Sequence, residues 1–568
     1  MSADNESRRI SRRLFVKGGA LTGAGVAASG LFTALGAAAQ TGTPTPEANG
    51  TATPEATPTA TPAPREIRPV PEKWDLETEV LVIGYGGAGA AAAIAAHEAG
   101  AEVLIIEKQP EDGHTSNTQM CAGAFLAPDS VEEAIAFMEI GARVNPDDPN
   151  SKAIPDDVIQ AWAEYMVQNR EWLESIGAKG FVQFSAEGRD PTVEGNEAIK
   201  AYQIETEDGA GGVGVQLFEL LAAHVEELGI EVLWETPGKA LITNPRGEVV
   251  GAWAEGPDGE IAIRAAKAVI LTTGGFEFDD EMLKAYMPIY PLTFYGNPDN
   301  TGDGVRMAQA VGADLWHMTV LGGGLKAKFE DFPTAFLMNF GLQPYMIVDK
   351  TGRRYINEAR LGGYSGYWHT IFADTTGLPR FPRIPSFWIF DQNRMDAGPL
   401  AFTNFGAAGP IGMYEWSKDN SVELERGWIL MGETVEELAE AMGVDPEVLQ
   451  EEIDAYNAAA EAGEDEEFGR TPQTLMPLEG PPFYAVPLMP GLNNTFGGPK
   501  RNAQAQIVDV FGQPIPRLYA AGELGSIYVQ YPQGGANVGE CFAFGRIAGE
   551  QAAALEPWTE EEEAAVKS

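Results

Sequence analysis

The feature that most constrains the fold of this chain is the stretch TEVLVIGYGGAGAAAAIAAHEAGAEVLIIEK at residues 78–108. Residues 80–83 form a short, unbroken apolar run that ends at glycine, which predicts a buried strand. Residues 90–99 are mostly alanine and predict a helix, and residues 102–106 predict a second strand. The stretch therefore predicts a strand, a glycine-rich turn, a helix and a second strand in direct succession.

The turn between the first strand and the helix has G-x-G-x-x-G spacing at Gly84, Gly86 and Gly89. In this motif the first glycine permits a tight turn, the second lets the backbone approach a pyrophosphate, and the third lets helix and strand pack closely. The helix N-terminus directs unpaired N–H groups and a partial positive charge at the turn, which stabilises a diphosphate. Glu107, at the end of the second strand, has the spacing of an acid that binds a ribose.

This order of elements predicts a dinucleotide site, although it does not distinguish NAD from FAD. The alternative is a glycine-rich turn that serves only the close packing of strand and helix. The residues of this stretch that we expect to contact the cofactor are Gly84, Gly86, Gly87, Ala88, Gly89, Glu107 and Lys108.

The N-terminus has the pattern of an export signal. Residues 11–17, SRRLFVK, contain twin arginines, and a glycine- and alanine-rich run follows at residues 18–36. This pattern predicts a twin-arginine (Tat) signal peptide over residues 1–39, cleaved near Ala39. An uncleaved membrane anchor is the alternative, but the run is only weakly hydrophobic. We therefore expect Tat export to the periplasm, the cell envelope or the extracellular space, with no stable membrane span after cleavage.

Composition limits the other classes of partner. Residues 40–64 contain 8 Thr and 6 Pro, which predicts that residues 40–73 form an extended, disordered linker. The chain has 83 Asp and Glu against 38 Lys and Arg, and this net charge of −45 argues against nucleic acid or an anionic membrane as a partner. The cysteines, Cys121 and Cys541, are too few for a disulfide framework or a four-cysteine metal site. We interpret both as small buried residues and expect no metal.

Later segments return to the predicted sheet. Residues 261–265 predict one strand, and residues 268–275, which end in glycines, predict another beside the nucleotide. Residues 518–520 predict a strand that leads to Glu523, and residues 534–539 open an apolar helix. The expected domains are a nucleotide-binding domain in two parts, 74–315 and 493–556, an inserted domain at 316–492 and an acidic tail at 557–568.

Several motifs resemble those of a known family. They are the stretch at residues 78–108, the Asn117-Thr118 turn, TTGG at 272–275, NPDNTGDGVRMAQAVGA at 297–313, TGRRYINE at 351–358, LYAAGE at 518–523 and FGRIAGEQAA at 544–553. This series resembles the FAD-dependent oxidoreductase 2 superfamily, which includes the flavoproteins of fumarate reductase and succinate dehydrogenase. The resemblance implies FAD and an α/β fold, in which an inserted α+β capping domain splits a doubly wound, Rossmann-like FAD-binding domain. It also implies hydride transfer between flavin N5 and a carbon next to an activating carbonyl.

The resemblance implies roles for individual residues. Glu107 corresponds to the acid that binds the adenosine ribose, and Glu523 to the acid that binds the ribitol. The other residues expected to contact the flavin are Asn117, Thr118, Gly123, Gly275, Asn537 and Val538. Succinate dehydrogenases carry a covalently bound flavin on a histidine at the position of Asn117. Here His114 lies three residues earlier, so the resemblance implies non-covalent FAD. Because histidines are mostly partly exposed, we interpret His114 itself as a solvated loop residue.

The substrate motifs depart from those of fumarate reductases. The arginine acid of that family stands four residues after the position of Glu358, which is Gly362 here, and Arg360 lies two residues earlier. The two substrate histidines and the C-terminal arginine of that family are replaced at their motif positions. Because a dicarboxylate needs bidentate cationic clamps, these departures argue against a dicarboxylate substrate.

Tyr531 and Gly535 have the Y-P-x-x-G spacing of 3-ketosteroid dehydrogenases. In that family the tyrosine hydroxyl and the glycine N–H hold the ketone oxygen and stabilise enolate charge. A second tyrosine then removes a proton from the adjacent carbon, and Tyr364 is the candidate here. A purely structural role is the alternative for both tyrosines. The expected catalytic residues are Tyr531, Gly535, Tyr364 and Arg360.

Three functional hypotheses follow. The first is an exported FAD enzyme that adds or removes hydrogen across a carbon–carbon bond next to a carbonyl, in a neutral cyclic or apolar ketone. The aromatic residues that suit such a substrate, or an ordinary core, are Phe329, Phe332, Phe336, Trp368 and Trp388. The second is a fumarate- or urocanate-reductase-like enzyme for α,β-unsaturated acids, with Arg353, Arg354 or Arg360 as the cation. The third is a flavin-binding protein whose chemistry has decayed.

The sequence indicates the classes of partner for an enzyme of this kind. It contains no recognisable haem or iron–sulfur ligand motif. We therefore expect a small-molecule substrate and an external electron carrier, which is a quinone, a separate redox protein or oxygen.

Overall fold

The computed structural model of the protein describes residues 70–188, 192–360, 373–376, 378, 380–403, 413–530 and 534–558. The strands in these residues are β1 (Leu76–Ile83), β2 (Val103–Ile106), β3 (Phe125–Leu126), β4 (Phe181–Ser185), β5 (Ala201–Ile204), β6 (Glu231–Leu233), β7 (Gly238–Thr243), β8 (Val249–Gly256), β9 (Gly259–Leu271), β10 (Thr293–Phe294), β11 (Leu315–Trp316), β12 (Leu321–Ala327), β13 (Tyr345–Val348), β14 (Ser386–Asp391), β15 (Leu430–Gly432), β16 (Phe483–Thr495), β17 (Gly498–Pro499), β18 (Gln506–Val508) and β19 (Pro514–Ala520). The α-helices are α1 (Gly87–Glu98), α2 (Asn117–Met120), α3 (Val131–Gly141), α4 (Asp156–Met166), α5 (Asn169–Ser175), α6 (Gly214–Glu227), α7 (Asp280–Tyr286), α8 (Asp303–Ala310), α9 (Gln392–Asp396), α10 (Ser421–Glu425), α11 (Val435–Met442), α12 (Pro446–Ala462) and α13 (Ala536–Ala553). Helices thus alternate with parallel strands, which confirms the predicted α/β class.

The larger sheet has the strand order β18-β19-β9-β1-β2-β6, and β8 and β7 extend it from β9. Neighbours from β19 to β6 run parallel, with Val80 of β1 opposite Val103 of β2 and Ala268 of β9. Because the carboxyl ends of parallel strands meet at one edge of a sheet, Gly84 and Glu107 come together at this edge. The fold thereby builds a site from chain segments that are far apart in sequence.

Residues of β1 alternate between two cores, as the period of a strand requires. Val80 and Val82 pack in the core that contains α1, α4, α6 and α13. Leu81 and Ile83 pack in the core on the other face, against α7 and α8. Burial on both faces explains why the strand reads as a continuous apolar run.

Helix α1 is packed closely between the sheet and α13, and its residues from Gly87 to Ala96 are buried. A Cβ atom on Gly549 of α13 would lie 2.3 Å from the carbonyl oxygen of Ala92, and one on Gly545 would lie 2.9 Å from that of Ala88. Glycine at these two positions therefore lets the helix backbones approach. None of the helices in the described ranges is long and apolar enough to span a membrane.

The second sheet has the order β10-β16-β14-β13, and β12 and β15 also pair with β16. One face carries an aromatic core that includes Phe329, Phe332, Phe336 and Trp388. The other face packs against α11 and α12. For these four aromatic residues the structure therefore favours the ordinary-core alternative, while Trp368 lies outside the described residues. The predicted domain boundaries stay predictions.

One predicted pair of strands is a single strand in the structure. Residues 261–265 and 268–271 belong to the continuous strand β9, and residues 272–275 follow it. The first half of β9 pairs antiparallel with β8, and the second half lies parallel between β1 and β19. Ala266 and Lys267 carry no turn-forming chemistry, so the strand continues through them.

Candidate active site

A cavity of about 740 Å³ opens at the carboxyl edge of the larger sheet. One part of its wall is the turn after β1, and another part contains residues of β12 and of the segment 337–341. The start of α13 also lines the cavity. Its volume lies within the range of about 300–1,000 Å³ that is typical of ligand and cofactor pockets.

Most residues that the sequence predicted for the cofactor lie on this cavity. The ones that line it are Gly84, Gly86, Gly87, Ala88, Glu107, Lys108, Asn117, Thr118, Glu523, Asn537 and Val538. Three others, Gly89, Gly123 and Gly275, do not line the cavity and are packed against other parts of the protein. A Cβ atom on Gly89 would lie 2.0 Å from the carbonyl oxygen of Gly84, and one on Gly123 would lie 2.3 Å from that of Gly212. A Cβ atom on Gly275 would lie 2.1 Å from Thr495 Oγ1. These three glycines therefore allow close packing within the protein instead of lining the cavity.

Glycine is required at Gly84 and at Gly86 for different reasons. Gly84 has a φ of +104°, and its Cβ atom would lie 2.7 Å from the carbonyl oxygen of Thr272. Gly86 has a φ of −100°, and the nearest atom to its Cβ would be the Cβ of Ser116 at 3.7 Å. Gly86 therefore has room for a methyl group within the protein, and that space belongs to the cavity.

Glu107 accepts hydrogen bonds from the backbone N–H of Tyr85 at 2.8 Å and of Gln109 at 3.0 Å. A carboxylate has about four acceptor positions, so it can also accept a bond from a sugar hydroxyl. The neighbouring Lys108 donates to Asp303 at 2.8 Å and to Thr301 at 3.0 Å. Lys108 thus lies at the cavity as one member of an ion pair.

The Asn117-Thr118 turn forms hydrogen bonds with three other segments that line the cavity. The Gly87 N–H donates to Thr118 Oγ1 at 3.1 Å, at the start of α1. Asn117 Nδ2 donates to Glu523 Oε2 at 3.1 Å, and Asn117 Oδ1 accepts from the N–H of Asn297 at 3.1 Å. Asn117 therefore fixes the position of the carboxylate that follows β19.

Glu523 lies beside a second carboxylate that the sequence analysis missed. Asn300 Nδ2 donates to Glu277 Oε2 at 3.0 Å and to Glu523 Oε2 at 3.4 Å, so one amide bridges the two carboxyl groups. Burial, together with the charge of Glu277, raises the pKa of Glu523 well above its usual value. The only local signal for Glu277 was an acid just after the glycines that follow β9.

The raised pKa predicts how Glu523→Gln changes stability. The folded apoprotein keeps the Glu523 proton at pH values where the unfolded chain has lost it. This stabilisation is fully present below the unfolded pKa of about 4.5 and is lost as the pH rises towards the raised folded pKa. Between weakly acidic and weakly alkaline pH, we expect the free energy of unfolding of the wild-type apoprotein to fall by about 1–3 kcal/mol relative to that of Glu523→Gln.

Urea unfolding of the two apoproteins across this pH range measures that difference. The exposed Glu231 provides a control, because Glu231→Gln should leave the pH dependence of wild type unchanged. Parallel pH profiles for wild type and Glu523→Gln would contradict the prediction.

The start of α13 brings a helix dipole to the cavity. Gly535 is the N-cap residue with a φ of +90°, and Gly535, Asn537 and Val538 line the cavity. Asn537 Oδ1 and Glu523 Oε1 are buried without a hydrogen-bond partner in the described part of the chain. Unpaired buried acceptors, a helix N-terminus and a glycine turn fit a ligand that has hydroxyl and N–H donors and a diphosphate, as FAD has.

Of the predicted catalytic residues, only Gly535 can be placed completely. Tyr531 and Tyr364 lie outside the described residues. The backbone of Arg360 ends the short 3₁₀ helix Glu358–Arg360, and its side chain is also outside them. Their catalytic roles therefore stay predictions.

The proposal that Arg353 or Arg354 binds a substrate carboxylate is wrong. Arg354 is buried and forms an ion pair with Glu358, with Nε to Oε1 at 2.8 Å, and another with Asp465 at 3.0 Å. Arg353 pairs with Glu452 at 3.1 Å on the surface. Neither arginine lines the cavity. Buried carboxylates hold Arg354, and Arg353 faces solvent.

His114 is not the solvated loop histidine that the sequence suggested. Its ring is stacked on Tyr85 at 5.8 Å between centroids and lies 5.2 Å from Trp234. Burial lowers its pKa, although the charge of Glu107 acts in the opposite direction. His114 thus belongs to an aromatic cluster at the nucleotide end of the cavity.

The two cysteines are half-buried and both line the cavity. Burial raises the pKa of Cys121 to about 11, and burial also raises the pKa of Cys541. Both therefore stay as thiols near neutral pH, which disfavours a nucleophilic role. No group of metal-ligating side chains occurs in the ranges that the structure describes.

Comparison with known proteins identifies the family. The model of the FAD binding domain family matches residues 79–538. A probable fumarate reductase of Shewanella frigidimarina is 27% identical over 493 residues, which cover 84% of this chain and 75% of that protein. This chain is therefore related to a C=C reductase across most of both sequences.

Two solved structures share the fold. The 3-ketosteroid Δ1-dehydrogenase of Sterolibacterium denitrificans superposes with a TM-score of 0.72 at 20% identity, covering 84% of this chain and 99% of that one. The 3-ketosteroid-Δ4-(5α)-dehydrogenase of Rhodococcus jostii has a TM-score of 0.62 at 25% identity, covering 85% and 98%. These findings confirm the family and the cofactor that the sequence motifs implied. The chain belongs to the FAD binding domain family and is an FAD-dependent dehydrogenase or reductase that acts on CH–CH groups.

Proposed function

We propose that the protein adds or removes hydrogen across a carbon–carbon bond next to the carbonyl of a neutral cyclic or apolar ketone. The chemical character of the cavity wall formed by β12, residues 337–341, Phe402 and residues 493–494 carries this proposal. Its apolar members are Leu325, Leu337, Met338, Phe340 and Phe402, and its amides are Asn339, Asn493 and Asn494. Within the described residues of this wall, Lys326 is the single cationic side chain. A dicarboxylate would need more than one cation.

Bound FAD would supply a hydride acceptor or donor at N5. The turn at Gly84 and Gly86 would hold the pyrophosphate, and Glu107 and Glu523 would accept bonds from the adenosine ribose and the ribitol. The N-terminus of α13 would stabilise negative charge at the pyrimidine edge of the flavin. We also propose that FAD is held without a covalent bond, because Asn117 stands where related dehydrogenases have a histidine.

The proposed catalytic roles follow the resemblance to 3-ketosteroid dehydrogenases. Gly535 lies at the cavity at the N-terminus of α13, which supports a role for its N–H as a donor to a ketone oxygen. Tyr531 would be the second donor to this oxygen. Tyr364 would take the proton from the adjacent carbon, once the two donors had acidified it.

Anaerobic mixing of the full-chain holoenzyme with a panel of saturated 3-ketosteroids and cyclic ketones tests this function. We expect a ketone to bleach the visible flavin band. Tyr531→Phe should slow that reduction about 10²-fold or more, because one oxyanion donor is lost. Tyr290→Phe, a change at an exposed tyrosine, should react like wild type. A flavin that no ketone reduces, and that no enone reoxidises after chemical reduction, would overturn the proposal.

A second candidate is a reductase for α,β-unsaturated acids, which the relationship to a probable fumarate reductase favours. Its cation would be Arg360 or Lys326, since Arg353 and Arg354 are engaged elsewhere. This candidate predicts that enoates, but not enones, reoxidise the chemically reduced holoenzyme. Bound flavin that reacts with neither class would support the hypothesis of decayed chemistry.

We propose further that the protein is exported and exchanges electrons with a separate carrier. The twin-arginine motif and the Thr- and Pro-rich linker support export to the periplasm, the envelope or the outside. Replacing Arg12 and Arg13 by lysine should then abolish export. A quinone, a redox protein or oxygen would reoxidise a flavin that the substrate has reduced, and a quinol or a reduced redox protein would supply electrons in the opposite direction. Flavin turnover with each carrier would identify it.

A further inference from the structure

Lys326 is an unusual residue for the position it occupies. It belongs to β12 opposite Met489 of β16, its residue exposure is 1%, and it lines the cavity. No hydrogen bond or ion pair joins its ammonium group to any of the described residues; its polar contact is with the ring face of Tyr295, at 5.7 Å. Burying a cation without a paired anion costs free energy, so such a residue is rare without a ligand.

A glycine of the second sheet makes room for the stem of this lysine. A Cβ atom on Gly491 of β16 would lie 1.9 Å from Lys326 Cγ, so the stem of the lysine crosses directly over a glycine. Gly323 also approaches Gly491, because its Cβ atom would lie 2.4 Å from the Gly491 carbonyl oxygen. The sheet thus combines small residues with one long side chain, and the stem is fixed while the amine faces the cavity.

Other buried cations in this region are satisfied by the protein. Arg394, behind the segment 337–341, donates to the carbonyl oxygens of Phe340 at 3.2 Å, Gly398 at 3.0 Å and Pro399 at 3.0 Å. Arg470 donates to the carbonyl oxygen of Tyr345 at 2.7 Å and to Glu358 at 3.2 Å. Lys326 differs from both, since none of the described residues gives its ammonium group a hydrogen bond or an ion pair.

We propose that Lys326 is a specificity-determining residue that donates a hydrogen bond to a second oxygen of the substrate, remote from the reacting carbonyl. The reacting carbonyl would lie at Gly535, on a different wall. This inference rests on the proposed function and narrows it to ketones that carry a second acceptor oxygen. The oxygen is either a neutral carbonyl or a carboxylate, because both accept from a lysine amine.

Ligand binding to the oxidised full-chain holoenzyme tests this assignment, with the flavin absorbance as readout. The probes are 1,4-androstadiene-3,17-dione, its analogue without the second ketone, and its analogue with a carboxylate there. We expect Lys326→Met to weaken binding of the two probes with a second oxygen about 10- to 100-fold. It should leave the mono-ketone unchanged. The exposed Lys350 provides the control Lys350→Met, which should bind all three like wild type.

The pH dependence of binding distinguishes the two kinds of oxygen. Burial lowers the pKa of Lys326 to about 7, and Tyr295 is the titratable group that faces it among the described residues. If the second oxygen is a carboxylate, affinity falls as the pH rises through about 7, because the ammonium charge is lost. If it is a neutral carbonyl, affinity changes little, since the neutral amine still donates. Equal weakening of all three probes by Lys326→Met would overturn the inference.

A stability measurement keeps the inference testable if no steroid binds, an outcome that would count against the steroid-like substrate of the proposed function. A lysine whose polar partner is a ligand is buried and unpaired in the free protein, which costs free energy. Lys326→Met should therefore raise the melting temperature of the apoprotein. A lysine with a structural role would give a lower melting temperature on substitution. That result would overturn the inference independently of the substrate class.

Discussion

Replacing Gly86 by alanine is expected to weaken FAD binding about 10- to 100-fold while the apoprotein keeps its stability. The new methyl group would meet only the Cβ of Ser116 at 3.7 Å, and the φ of −100° suits an alanine. It would, however, occupy the space through which the backbone approaches the pyrophosphate. An added methyl group in a filled site costs about 1–3 kcal/mol, which sets the expected loss of affinity.

Gly89→Ala is the matched contrast within the same turn. Its Cβ atom would lie 2.0 Å from the carbonyl oxygen of Gly84, and backbone atoms cannot move aside as a flexible side chain does. We expect this variant to destabilise the apoprotein by about 3 kcal/mol or more. Urea unfolding of each apoprotein and titration with FAD separate the two effects. A Gly86→Ala protein that unfolds as readily as Gly89→Ala would refute the assignment of Gly86 to the ligand.

Glu358→Gln is expected to cost about 3–5 kcal/mol of folding free energy. The carboxylate of Glu358 accepts from Arg354 Nη2 at 2.9 Å, from Arg470 at 3.2 Å and from the N–H of Ile347 at 3.3 Å. Its side chain has an exposed fraction of 0%, so water cannot replace it. An amide of the same shape would leave two buried guanidinium groups with less negative charge than they need.

Chemical unfolding of the two holoenzymes measures this cost. Glu466→Gln, at an exposed glutamate close to Asp465 in the sequence, should unfold like wild type. An unchanged midpoint for Glu358→Gln would mean that the buried network contributes little net stability. This network stabilises the second sheet and does not contact the cavity. We therefore expect Glu358→Gln to change stability without a direct effect on ligand contacts.

The nucleotide half of the site could be predicted in detail from the sequence. β1, α1 and β2 were recognised from a continuous apolar run, an alanine-rich stretch and a glycine turn, which are all local signals. Glu107 directly follows one predicted strand, and Glu523 comes three residues after the end of another. Parallel strands bring their carboxyl ends to one edge. For these residues, position along a strand was enough to place them on the cavity.

The substrate half could not be predicted in the same way. Lys326 is one charge in a short glycine-rich strand, and its direction depends on the register between β12 and β16. Arg354 looked like a candidate for binding a substrate anion, but Asp465, far along the chain, is one of its partners. Side-chain direction and charge pairing in this half are decided by contacts between segments that no local pattern connects.

The sequence by itself therefore determined the βαβ unit, the glycine turn, the family and the FAD cofactor, because these depend on short motifs with fixed spacing. Only the tertiary structure decided that Gly89, Gly123 and Gly275 pack behind the cavity wall and that Glu277 lies beside Glu523. It also left the Lys326 ammonium group, at the cavity, without a hydrogen bond or an ion pair to the described residues. The physical reason is that packing clearance, burial and the pairing of charges are properties of the assembled sheets, and local sequence does not specify them.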